Sequence, residues 1–306
     1  MRFVKSLQYD IRNNKQLLIL LILPVLWVLI FKYQPMYGLL IAFKDFKAHL
    51  GILHSPWVGL KHFKAFINSY MFARVIKNTL IISIQSLICG FPIPILLALA
   101  LNATKNKPWK KLVQFTIYAP YFISTVVMVS IIIQFLSPSV GAYGHFVKLF
   151  NLETKVLMGI PKYFSTIYTV SGIWQYAGYS TIIYLAALAG VDPTLHEVAT
   201  IDGANRFKRI LHVDIPGITP TMVTLLILSV GQLLQIGFEK IFLMQNPLNM
   251  ISSEIISTYL YRVGLKTGLP KFSYAAAIGF LNSIVNVALL VSVNMASKKV
   301  FKTSIW

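Results

Sequence analysis

Carboxylates are scarce in this chain. Nine acidic residues stand against 28 lysines and arginines in 306 residues, a formal charge of +19. Only 12% of the residues are charged, against about 25% in soluble domains. Long polar stretches are missing too, so a water-soluble domain is excluded. The single cysteine, Cys89, sits in an apolar run. It rules out a disulfide within the chain and a metal site built on cysteine, and reads as a small buried apolar residue. There is no GxxxxGK(S/T) phosphate loop, no HExxH, no CxxC and no GxSxG. The chain is therefore expected neither to hydrolyse ATP itself nor to be an enzyme. His49, His54 and His62 share one loop, at a spacing that matches no metal motif, so no metal is expected.

What is present is apolar: 56% of the residues are hydrophobic. A spanning helix needs about 20 such residues in a row. Six candidate spans are read at about 17–33, 78–101, 112–136, 166–190, 218–237 and 274–295. The fold class is thus all-α, a polytopic membrane protein with six transmembrane helices. The first span is preceded by Arg2, Lys5, Arg12 and Lys15, as in a secretory signal, but no small-x-small cleavage site follows, so an uncleaved helix is expected. The spans hold almost no ionisable groups. That argues against coupling to an ion gradient and against acid–base catalysis.

Basic residues flank the apolar runs, which suits lipid headgroups and orientation rather than nucleic acid. Taken together, segments 1–16, 102–111, 191–217 and 297–306 hold 14 basic residues in 63 positions, against 14 in 109 for 32–77, 138–165 and 238–272, with "KNKPWKK" (Lys105 to Lys111) the clearest cluster. Both termini and the loop 191–217 are accordingly expected in the cytoplasm. On the outside, Gly59 to Tyr70 reads as an interfacial helix with Leu60, Phe63, Phe66 and Ile67 on one face.

Four of the nine carboxylates crowd into that one cytoplasmic loop: Asp192, Glu197, Asp202 and Asp214. Asp192-Pro193 starts a helix well, and "TLHE" (Thr194 to Glu197) fits a capping box. Leu195, Val198 and Ala199 make one apolar stripe, and Ala204, Phe207, Ile210 and Leu211 a second. Gly203 interrupts them, and Pro216 ends the unit. A helix–glycine–helix element results. Its apolar side is expected to pack on the membrane helices, its charged side to be free for a soluble partner.

"EVATIDGANRFKRILHVDIP" (Glu197 to Pro216) resembles the "EAA" loop of binding-protein-dependent ABC importer permeases, with Val198 for the middle alanine and Ile215 for the leucine before proline. "FKYQPMYGLLIAFKDF" (Phe31 to Phe46), "SPWVGLKHF" (Ser55 to Phe63) and "GFEKIFLMQNP" (Gly237 to Pro247) are similar to the carbohydrate-uptake branch. The resemblance implies a type I importer fold with residues 1–306 as one permease domain in a bacterial plasma membrane. It implies an imported oligosaccharide or polysaccharide fragment, a non-sugar solute being the alternative. Glu197, Ala199, Asp202, Gly203, Ala204, Phe207, Ile210 and Pro216 would then form the coupling helix seated in a cytoplasmic ATPase. The implied partners are a second, different permease, two ATPase copies that hold ATP and Mg, and an extracellular lipid-anchored solute-binding protein. No cofactor is expected in this chain.

A sugar offers hydroxyls on its rim and weakly apolar faces, so its path wants amides and aromatic rings. Trp174, Gln175, Tyr176, Gln232, Gln235, Asn282 and Asn286 supply them in spans four to six, with Gln235 and Asn286 expected to bond the sugar and Trp174 to stack on it. The plain alternatives are interfacial anchoring for the aromatic group and interhelical hydrogen bonding for the amides. Glu197 has a plain alternative too, as a capping-box member. Glu254 is expected to dock the binding protein.

Overall fold

The computed structural model describes residues 15–266 and 268–301. Arg2, Lys5 and Arg12 of the N-terminal basic cluster, and the residues after Phe301, lie outside the described residues. No strand forms among the described residues; an isolated antiparallel bridge joins Lys44 and Trp57. Among the described residues four helices are long and apolar enough to cross a bilayer, or up to six if each of two bent helix pairs is one span. The described chain divides into two compact units. One holds the residues up to Ile67 with Val263–Phe280, the other Asn68–Arg262 with the residues from Leu281 on.

In the first unit, α1 (Lys15–Val28) runs through a π turn (Leu29–Tyr33) into a 3-10 stretch (Gln34–Phe43). Together they make a 29-residue span. No residue of α1 is buried within the chain, and a helix that is apolar all round needs lipid or protein on every side. α2 (Lys61–Ile67) corrects the interfacial expectation. It is shorter than Gly59 to Tyr70, and its Phe63 and Phe66 are buried while Leu60 and Ile67 are exposed. Phe63 packs with Phe43 and Phe280 at ring separations of 5.2 and 6.1 Å, and Phe66 meets Tyr274 at 6.2 Å. Aromatic packing of this kind gives the unit its core.

The second unit begins with α3 (Tyr70–Gly90) and α4 (Pro92–Ala103), which make one span. Pro92 and Pro94 fall in the first turn of α4, where a missing N–H is tolerated. The third span is broken rather than continuous. α5 (Lys107–Tyr118) and a 3-10 turn (Ala119–Phe122) meet α6 (Thr125–Phe135) at 102°. Pro120 is buried in that turn, and the Ser124 side chain caps α6 by accepting the Val127 N–H at 3.4 Å. α7 (Pro161–Ala189) is the long fourth span, and α8 (Pro193–Ile201) turns off it by 71°. α9 (Arg206–Arg209) leads through a π turn (Ile210–Asp214) straight into α10 (Ile215–Gly231). The fifth span therefore ends at Gly231, short of the expected Gly237. α11 (Phe238–Met244) packs on α6, while short helices Met250–Ser253 and Ile256–Tyr261 pack on α3. The last helix is α12 (Phe272–Phe301).

Two apolar clusters hold this unit. Ile82, Val129, Phe164, Ile241, Met244 and Ile255 form one, and Ile95, Ala98, Leu99, Tyr184, Leu188 and Ile218 the other. Cys89 is not buried as expected but exposed, on a helix whose outer side needs no polar group.

The backbones of α7 and α5 approach closely at Gly178. A Cβ at Gly178 would collide with the backbone carbonyl of Ile117, whereas one at Gly90 would sit 3.7 Å from the Ile173 side chain, ordinary contact. Overpacking costs about 1–3 kcal/mol, and a backbone atom cannot swing aside. Gly178→Ala is therefore expected at or above the top of that range and Gly90→Ala near zero. Thermal unfolding of the two detergent-purified variants checks this; equal midpoints would contradict the close approach.

Candidate functional site

Two regions of the second unit concentrate unusual features. The first is the α8–α9 element. Asp192 caps α8 by accepting the Thr194 N–H at 2.9 Å, which holds the carboxyl below its usual range. Because Asp192 is the cap, the expected capping box at Thr194 does not form. Glu197 stays exposed, and its side chain makes no hydrogen bond or ion pair among the described residues.

The end of α8 is a Schellman turn. The Ala204 N–H reaches the Ala199 carbonyl at 2.9 Å and the Gly203 N–H reaches Thr200 at 3.1 Å. Gly203 has φ +74°, a left-handed conformation that favours glycine. A Cβ there would meet nothing within 4 Å, so backbone conformation, not space, demands the glycine. Asn205 then caps α9 by accepting the Lys208 N–H at 2.9 Å.

One contact ties α8 to α9 and another ties it to the root of α10. Arg209 Nη1 donates to Thr200 Oγ1 at 3.0 Å, and His196 Nε2 lies 3.3 Å from Oδ1 of the buried Asp214. Ile210 packs against the Ile95–Ile218 cluster. The remaining apolar residues depart from expectation. Leu195, Val198, Ile201, Phe207 and Leu211 are exposed, Phe207 by 70% and Ile201 by 85%. The apolar side of the element is thus largely unpartnered in the chain, instead of packed on the membrane helices. Asp202 and Pro216 are exposed, and Ala199 and Ala204 are half-buried.

The second region is a cavity of about 630 Å³ between α3–α4, α7, α10 and α11. Its wall is rich in hydroxyls, from Ser83, Ser86, Thr169, Ser180 and Ser229, and it carries the rings of Phe91, Tyr168, Tyr176 and Tyr184. Gln232, Glu239 and Lys240 complete the polar lining. Lys240 is buried; its Nζ lies 3.4 Å from the Tyr168 carbonyl and 4.9 Å from the centre of the Tyr168 ring.

Of the expected path residues, Tyr176 and Gln232 line this cavity. The others do not. Gln175 is buried and donates to the Ile123 carbonyl at 3.1 Å, at the break in the third span. Asn286 is buried and accepts the Leu234 N–H at 3.2 Å, just beyond the end of α10. Both amides satisfy backbone groups freed where a helix stops, which a membrane span requires. Trp174 and Gln235 are exposed and Asn282 is half-buried, all outside the cavity lining. Glu254 needs the largest correction. It is 2% exposed and ion-paired with Arg262, so its carboxylate is not available to a docking protein. Burial raises its carboxyl above the ordinary value, and Arg262 and Arg74 pull it back. The serines, threonines and Lys240 of the cavity were missed because each looks like an ordinary span or loop residue until helices bring them together.

A family model described as "Binding-protein-dependent transport system inner membrane component" matches residues 90–302. The chain is 41% identical over 295 residues to the polygalacturonan/rhamnogalacturonan transport system permease protein YteP of Bacillus subtilis, covering 96% of this chain and 91% of that protein. It is 38% identical over 289 residues to Protein LplB of the same organism, covering 94% and 90%. Among solved structures it is similar to a bacterial ABC transporter involved in the import of the acidic polysaccharide alginate, at 37% identity and TM-score 0.88 over 98% of this chain and 99% of that one. A second structure, the alginate ABC transporter in complex with an alginate pentasaccharide-bound periplasmic protein, matches at 37% identity and TM-score 0.89 over 100% of each chain. Family match, length-spanning relatives and several apolar spans agree: the chain belongs to the inner membrane components of binding-protein-dependent transport systems, a multi-pass transport permease and not an enzyme.

Proposed function

We propose that this chain is a membrane-spanning subunit of an ATP-driven importer for an oligosaccharide or polysaccharide fragment. The observation that carries the reading is the pairing, in one unit, of a hydroxyl-lined cavity with an exposed apolar element continuous with α10. Hydroxyls, an amide and rings suit a sugar's rim and faces. Exposed Leu195, Val198, Ile201 and Phe207 suit a docking knob. The sugars in the relatives' names support a saccharide. On this reading α8 and α9 seat in a cytoplasmic ATPase, with both termini on the same side. Two ATPase copies hold ATP and Mg, a second and different permease completes the path, and an extracellular lipid-anchored protein delivers the sugar. Rocking of the ATPases, passed through α8–α9 to α10, opens the cavity alternately to each side.

The path is tested by Gln232→Leu, which keeps size and removes the amide. The half-saturating concentration for uptake into proteoliposomes is expected to rise about tenfold, one polar bond's worth, with the complex still assembled. Gln235→Leu, outside the cavity, should leave it unchanged. The opposite pattern would remove this cavity from the path.

A further inference from the structure

Lys240 is out of place in a neutral sugar site. A buried amine away from water needs a partner. Among the described residues Lys240 has no ion pair. Its partners are the Tyr168 carbonyl at 3.4 Å and the face of the Tyr168 ring. An ammonium has three donors and no acceptor, so two remain for a ligand. Gly172 and Lys240 line the same cavity, and a Cβ at Gly172 would sit 3.6 Å from Nζ, in ordinary contact. Glu239 also lines the cavity. It is exposed, forms no ion pair with Lys240, and opposes an anion rather than neutralising the amine.

From this we infer that Lys240 forms a carboxylate subsite, and that the cavity takes an acidic, uronate-bearing oligosaccharide. This rests on the carbohydrate reading above and names the class of sugar. Tyr168 places the amine and the hydroxyl wall takes the neutral rim. The amine provides a charge-assisted bond that a neutral sugar cannot use.

The test is calorimetric binding to the assembled importer, without its binding protein, of two probes: trigalacturonate and its carboxyl-reduced neutral form. The wild type should prefer trigalacturonate. Lys240→Gln should weaken that probe about tenfold or more and the neutral one less than about twofold, while Lys240→Arg should retain the preference. Equal weakening of both probes by Lys240→Gln, or no preference in the wild type, overturns the carboxylate subsite and leaves the carbohydrate reading standing. Binding of neither probe to the wild type overturns both. Should Lys240→Gln fail to assemble, Glu239→Gln decides. Removing the opposing charge should tighten trigalacturonate severalfold and leave the neutral probe unchanged, and no change in either overturns the subsite.

Discussion

Gly203→Val is expected to abolish substrate-driven ATP hydrolysis and uptake while leaving delivery of the sugar by the binding protein intact. At φ +74° a residue with a side chain costs about 1–2 kcal/mol, and a β-branched one more. A cost of that size depletes the native turn by about five- to thirtyfold or more. The turn sets the angle between α8 and α9, so its loss misaligns the docking knobs without disturbing the cavity. Because the space around Gly203 is open, asparagine, which tolerates this conformation, should restore most of the activity where valine and alanine do not. Uptake assays on the three variants check this. Full stimulated hydrolysis in Gly203→Val membranes would sink the coupling role of the turn.

Phe207→Asp should separate the permease from its ATPase. Phe207 is 70% exposed at the start of α9 and has no ring partner among the described residues. An aromatic side chain of this kind is the usual anchor of an interface. Burying a carboxylate in its place loses the contact and adds a desolvation cost. A loss of about 3 kcal/mol or more weakens association more than a hundredfold. Purification through a tag on the ATPase should therefore recover wild-type permease and leave Phe207→Asp in the wash. The folded permease itself should keep its thermal midpoint, since the side chain is mostly exposed. Recovery of the variant at wild-type yield would place the docking surface elsewhere.

The α8–α9 element was legible because its signals are local. Asp192-Pro193 and Gly203 each act within a few residues, and the Asp192 cap and the left-handed glycine appear where the pattern puts them; the capping box at Thr194 does not form, and Pro216, expected to end the unit, lies in the first turn of α10, where proline is tolerated. Even so, the partner of the apolar stripes was misjudged. Periodicity shows that a helix has an apolar side, not what covers it. The cavity was far less legible. Gln175 and Asn286 look like sugar ligands in the sequence but answer backbone groups at helix ends, and those ends were invisible while spans three and five were read as continuous. Glu254 looked like a free charge in a long loop; folding of residues 238–262 onto α3 and α6 buried it beside Arg262. Membrane breaks depend on which distant amide is at hand, and a single chain read in order does not reveal that.

The central claim is that one chain joins a sugar cavity to an ATP-driven partner. Its most direct measurement is uptake of a labelled oligosaccharide into proteoliposomes that hold the purified assembly, with ATP and Mg inside and the binding protein outside. Accumulation should need all three together, and it should stop with Gly203→Val although ATP and the loaded binding protein are both present. Accumulation without ATP, or undiminished in that variant, would contradict the claim.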